Sequence, residues 1–237
     1  MLTTVLFDID GTLILSGGAG ARALDRVFFS LHGLSNAVDG IRFEGMTDPA
    51  IVREAFAQAA GREPTAREMS DLFAAYIPVL REEVVASRGF SVMPGIESLL
   101  EHLARRDDVL LGLVTGNVEP AAWIKLARPR LDRHFRFGGF GSDSEFRDHL
   151  TRIGIARGHA LARRLDGARA HSGDAPPRAI VIGDTLHDIR AARAVGAYCV
   201  AVATGSTPIE TLAAHAPDLL LRDLSDPSPL IGALEAA

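Results

Sequence analysis

Short apolar runs alternate with longer stretches of helical spacing along most of this chain, and that rhythm narrows the fold more than any other feature. Runs at residues 3–9, 109–115, 134–140, 179–184, 198–203 and 218–221 have the length and composition of buried strands. Between them, residues 96–105, 120–131, 151–165 and 188–195 place apolar residues at helical intervals. Strands separated by helices give βαβ units around a parallel sheet, an α/β fold that binds ligands at the carboxyl ends of its strands. Residues 15–91 break the pattern. They offer helical spacing at 21–31, 49–59 and 65–88 with no convincing strand, and read as a small helical insert over the end of the first strand. The glycines at 17, 18 and 20 and the Met93-Pro94-Gly95 turn mark its edges. The expected division is therefore residues 1–14 with 92–237 as one unit and 15–91 as the other. Residues 171–178 read as an exposed loop, and the tail after Pro227 as a short helix.

The first strand carries Asp8 and Asp10 into a Gly11 turn. Side chains two apart on a strand share a face, so the two carboxylates point the same way where the chain leaves the sheet. Like charges so close need a cation or a proton between them. An ordinary strand end with a turn-forming Asp-Gly is the plain alternative. Two further clusters fall at predicted strand ends. Thr115-Gly116-Asn117 offers a hydroxyl and turn amides suited to an anionic oxygen, and equally reads as a satisfied strand-end threonine. Asp184 and Asp188 add two acids four residues apart, with Asp188 also placed as a helix N-terminal acid.

Composition removes several function classes. A net charge of -5 and a pI near 5.9 give no electrostatic reason to expect nucleic acid. The chain has no apolar run long enough to span a bilayer and no signal-peptide pattern at its start, so no membrane association and a cytoplasmic setting are expected. The single cysteine, Cys199, lies in an apolar run and reads as a core residue rather than half of a disulfide. Lys125 is the only lysine.

With these residues in view, the chain resembles the haloacid dehalogenase superfamily of phosphohydrolases. Asp8-Ile9-Asp10-Gly11-Thr12-Leu13 matches the first motif of that family, Thr115-Gly116-Asn117 the second, and Gly183-Asp184 with Asp188 the fourth. The insert between the first two resembles the cap of the subgroup that includes phosphoglycolate phosphatases, as do Gly45-Met46-Thr47-Asp48-Pro49 and Met93-Pro94-Gly95. The resemblance implies a Rossmann-like parallel-sheet core with an inserted α-helical cap. It implies a Mg2+-dependent phosphatase acting on a small phosphorylated metabolite through an aspartyl-phosphate, as a monomer or homodimer. Asp8 is then the nucleophile and Asp10 the acid and base, starting protonated. Gly11, Thr115, Gly116 and Asn117 hold the phosphoryl group, and Asp8, Asp10 (through its carbonyl), Asp184 and Asp188 serve the metal. The third motif departs from the pattern, because the usual Lys-Pro is missing. Arg147, near the expected position, and Lys125, on the helix after the second motif, are the two candidates for its cation. Arg22, Arg42, Thr47 and Asp48 are candidate substrate contacts from the cap, with Arg42 suited to a substrate carboxylate.

Relatives with other chemistry fit less well. A dehalogenase has no use for the second acid Asp10, and a phosphonoacetaldehyde hydrolase needs a cap lysine that is absent. A β-phosphoglucomutase-like phosphotransferase would use Asp8 and Asp10 identically and stays open, as does a catalytically silent binding or regulatory protein on the same fold.

Overall fold

The computed structural model describes residues 2–166 and 178–235. The loop expected at 171–178 lies outside them apart from Arg178. Six parallel strands form the main sheet in the order β5-β4-β1-β6-β7-β8. They are β1 (Thr3–Phe7), β4 (Val109–Thr115), β5 (Gly138–Phe140), β6 (Ala179–Gly183), β7 (Tyr198–Val202) and β8 (Leu219–Leu221). The chain leaves β1 toward β4 and β5 and then returns past β1 to β6. This reversal places the topological switch point beside β1, where open α/β sheets bind ligands.

Every residue of β1 is buried, as a central parallel strand covered on both faces requires. Val5 and Phe7 join the core under α4 (Ile96–Leu103), α5 (Glu119–Ala127) and α9 (Ser228–Glu235). Leu6 points the other way, into the layer of α6 (Arg147–Asp166), α7 (Leu186–Ala194) and α8 (Ile209–Ala214). Cys199 is buried in that second layer.

Three expectations need correction. The run at 134–140 becomes a strand only from Gly138, because residues Asp132–His134 close a 3-10 turn in which the Phe135 N–H donates to Asp132. Two glycines of low strand propensity carry the pairing instead, and Gly139 is required there because any Cβ would overlap the Leu150 carbonyl of α6. The helix expected at 151–165 begins four residues earlier, at Arg147. Finally, the segment expected to lack strands enters and leaves through a two-residue antiparallel ladder, β2 (Ile14–Leu15) with β3 (Ser91–Val92), too short to leave a period in the sequence.

Between β2 and β3 lie α1 (Ala19–His32), α2 (Asp48–Ala60) and α3 (Ala66–Ala86). Local signals set their ends. Gly33 in the left-handed region terminates α1, Thr47 caps α2 ahead of Pro49, and a Thr65/Glu68 capping box starts α3. Their shared apolar interior, built around Phe28, Phe56, Leu72, Tyr76 and Leu80, continues onto Val118, Ala121 and Ile124 at α5. No helix among the described residues is long and apolar enough to cross a membrane.

Candidate active site

The tips of β1, β4 and β6 meet at one cavity of about 460 Å3, roofed by the loop that precedes α2. Asp8 follows β1 directly, with its N–H still donating to Ile182 at 2.9 Å. The chain then turns sharply, since the N–H groups of Thr12, Leu13 and Ile14 all donate to the Ile9 carbonyl. Gly11 makes that turn at φ 89°, and a Cβ there would overlap the Asp184 carboxylate. Thr12 in turn donates its hydroxyl to Asp184 at 2.8 Å.

Asp8, Asp184 and Asp188 are buried and each offers an oxygen to a space no more than 4.8 Å across. Arg147, the first residue of α6, reaches between two of them, donating to Asp8 at 2.9 Å and to Asp188 at 2.5 Å. Three carboxylates face one guanidinium, so two negative charges stay unmatched in a site away from water. Burial pushes the Asp8 carboxyl up to about 7, with the Asp188 charge adding and Arg147 opposing. Burial raises Asp184 well above the carboxylate range, and the charges of Asp8 and Asp188 raise it further. Burial works against the Arg147 charge, but Asp188 and Asp8 outweigh it and raise its pKa. A pocket that forces protons onto its own acids fits a bound divalent cation, and an all-oxygen donor set selects a hard one. Asp188 also does structural work: its second oxygen accepts from the Thr185 N–H and hydroxyl in a capping box that starts α7.

Asp10 belongs to a separate network. Its Oδ2 accepts from Lys125 Nζ at 2.6 Å and from Asn117 Nδ2 at 2.8 Å, while Lys125 also donates to Asn117 Oδ1. Burial disfavours its charge, but Lys125 and the hydrogen bonds from Lys125, Asn117 and Ser16 outweigh burial and hold the carboxyl below its ordinary range. The free site therefore favours ionised Asp10, whereas the expected acid step needs it protonated. Thr115 Oγ1 accepts from the N–H and Nδ2 of Asn117, which leaves its own proton available to an anion. The two candidate cations thus divide: Arg147 stands with Asp8 and Asp188, Lys125 with Asp10 and Asn117.

The expected cap contacts are rearranged. Arg22 is exposed, paired with Glu83 at 2.8 Å and donating to the Gly17 carbonyl, so its guanidinium is committed outside the cavity. Arg42 is exposed and does not line the cavity. Thr47 is buried as the N-cap of α2, its hydroxyl accepting from Ala50 and donating to the Glu145 carbonyl. Only Asp48 reaches the cavity wall. Its N–H donates to the Gly116 carbonyl and its Oδ2 accepts from Val118, so the start of α2 is stitched to the turn after β4. Burial lifts this carboxyl to about 6. Sequence reasoning missed Thr12, Ser16, Glu44, Met46 and Ser206. Thr12 lies within the first motif and Met46 within the stretch at residues 45–49, but Ser16, Glu44 and Ser206 carry no pattern that separates them from ordinary loop residues.

A family model described as haloacid dehalogenase-like hydrolase matches residues 2–196. Among curated proteins, a phosphoglycolate phosphatase of Pseudomonas fluorescens is 26% identical over 98% of this chain and 80% of its own length. Among solved structures, CbbY of Rhodobacter sphaeroides in complex with phosphate aligns with a TM-score of 0.67 at 22% identity, over 95% of this chain and 96% of that one. A putative β-phosphoglucomutase of Bacteroides vulgatus aligns at 0.66 and 20% identity, over 99% of this chain and 89% of that one.

Proposed function

The chain belongs to the haloacid dehalogenase-like hydrolase family, and we propose that it is a Mg2+-dependent phosphatase that hydrolyses a small-molecule phosphate monoester through an aspartyl-phosphate on Asp8. The observation that carries this reading is the buried trio Asp8, Asp184 and Asp188 with Arg147 as its one guanidinium, opening beside Thr115 at the carboxyl end of the sheet. Phosphate monoesters repel carboxylate nucleophiles, so an attack by Asp8 needs positive charge gathered around it. Oxygens of Asp8 and Asp184 and the carbonyl of Asp10 would hold Mg2+, with Asp188 steadying Arg147 and the start of α7. When bound, the ion neutralises phosphoryl charge and takes up the negative charge that the acids alone cannot share.

Asp8 attacks phosphorus as the bond to the ester oxygen breaks. Asp10 delivers a proton to the departing alkoxide, then removes one from the water that attacks the acyl phosphate, restoring Asp8. Because Lys125 holds Asp10 ionised in the free site, the acid step requires a dianionic phosphoryl group to draw Lys125 away and raise the carboxyl's proton affinity. Thr115 donates its hydroxyl to a phosphoryl oxygen, with the turn amides of Gly116 and Asn117 beside it. The helices between β2 and β3 act as a cap, joined to the core through the β2-β3 ladder, that shields the acyl phosphate from stray water.

A panel of phosphate monoesters with Mg2+ tests the reading. Phosphate release from at least one ester, stopped by EDTA and absent in Asp8→Asn, is expected; release that persists in Asp8→Asn removes the covalent mechanism. With a hexose 1-phosphate, inorganic phosphate as product supports hydrolysis and isomerised sugar phosphate would establish the mutase instead.

A further inference from the structure

A relative that matches 98% of this chain is named for a carboxylated substrate, phosphoglycolate, yet among the described residues the cavity wall has no side-chain cation to spare for a second anion. Among the described residues, the cations on its wall are Lys125 and Arg147, and both belong to the phosphoryl end. The remainder of the wall is apolar at Leu15, Phe43, Met46 and Ile51, neutral at the Ser16 and Ser206 hydroxyls and the glycines at 17, 18 and 20, and acidic at Glu44 and Asp48. The arginines nearest in sequence are unavailable: Arg22 is tied to Glu83 and Gly17, and Arg42 lies off the cavity.

Resting on the phosphatase reading, we infer that the alcohol released by this enzyme carries no anionic group: the substrate is the phosphate monoester of a neutral or ammonium-bearing alcohol with an apolar body, not a phosphorylated carboxylic acid and not a bisphosphate. A carboxylate placed in the alcohol half would lose hydration without gaining a cationic partner, and would face two acidic side chains. Leaving a charge unpaired is how a site rejects a competitor it could otherwise hold. Size agrees with the charge argument. A cavity of about 460 Å3 lies within the range that encloses drug-sized ligands, whereas a two-carbon alcohol beside the phosphoryl group fills little of it. Asp48 contributes on the positive side. Its Oδ2 accepts from the Val118 N–H and the residue lines the cavity, so its carboxylate is placed to accept a hydroxyl or ammonium proton from the alcohol.

Pairs of esters matched in size and differing by one carboxylate test the inference. With Mg2+ and the wild-type protein, kcat/KM is compared for 2-hydroxyethyl phosphate against 2-phosphoglycolate, and for 4-nitrophenyl phosphate against 4-carboxyphenyl phosphate. The uncharged member of each pair is expected to lead by about ten-fold or more. Glu44→Arg, a change on an exposed residue, is expected to shrink that ratio by supplying the missing cation. Equal or better turnover of the carboxylated members overturns the inference while leaving the phosphatase reading intact. So does an unchanged ratio in Glu44→Arg. No turnover of any ester removes the phosphatase reading, and this inference with it.

Discussion

At the sheet end of the cavity, Asp8, Asp184, Asp188 and Arg147 crowd into a buried charged cluster, while at the helical end the wall is Leu15, Phe43, Met46 and glycines with two acids at its edge. The first end is built to gather charge around phosphorus, and its residue types are dictated by that chemistry. The second is built to exclude water and to accept a shape, which many residue combinations can do. Perturbing the first end should change rate by orders of magnitude; perturbing the second should change which ester is taken.

The largest separation is expected from Asp8→Asn, which removes the nucleophile and should lower kcat on the order of ten-thousand-fold or more, measured with any ester the parent accepts. Arg147→Ala comes next. It strips the one guanidinium from a buried acidic cluster, and kcat should fall by about a hundred- to a thousand-fold, with Arg147→Lys recovering part of the loss. The metal-free variant should also lose about 3–5 kcal/mol of stability, read by denaturant unfolding.

Lys125→Met probes the network around Asp10. Without the ammonium the Asp10 carboxyl loses its main support and its pKa rises, so the acid limb of the kcat/KM pH profile should move to higher pH. An unmoved limb would show that Lys125 and Asp10 do not act together.

Metal linkage gives a smaller effect with a definite sign. Asp8 titrates near 3.8 when free and near 7 in the fold, so its folded form binds the proton more tightly. The metal-free protein is therefore favoured by this group at low pH, and loses that contribution as pH rises from about 4 to about 7. Saturating Mg2+ relieves the crowding of charge, and should raise the melting temperature by about 5 °C or more at pH 8 and by less at pH 5. Equal shifts at both pH values would mean the ion binds elsewhere.

Thr47→Ala sharpens the contrast from the other side. Thr47 caps α2 and lies off the cavity, so its loss should cost about 1 kcal/mol of stability while kcat/KM stays within about three-fold of the parent.

The same contrast explains what could be read from residues alone. Asp8, Asp10, Thr115 and Asp184 stand at strand ends, where the period of the strand and the turn after it dictate position, and they converge on one cavity. Arg147 and Lys125 could not be ranked, because how far each side chain reaches depends on where α6 begins and how α5 lies against the sheet. Arg22 and Arg42 are suggested by charge and Thr47 by the cap-loop resemblance, yet an ion pair, exposure and a helix cap decide their places. The β2-β3 ladder and the Gly138-Gly139 strand left no pattern to detect, one being too short and the other made of residues with no side-chain alternation.

The central claim, that Asp8 carries the phosphoryl group, is tested most directly by acid-quenching the protein during turnover of an active ester and mapping peptides by mass spectrometry. The expected result is a phosphoryl mass on the peptide containing Asp8, lost in hydroxylamine and missing from Asp8→Asn. A phosphoryl group on another residue, or turnover with no trapped adduct on rapid quench and an active Asp8→Asn, contradicts it.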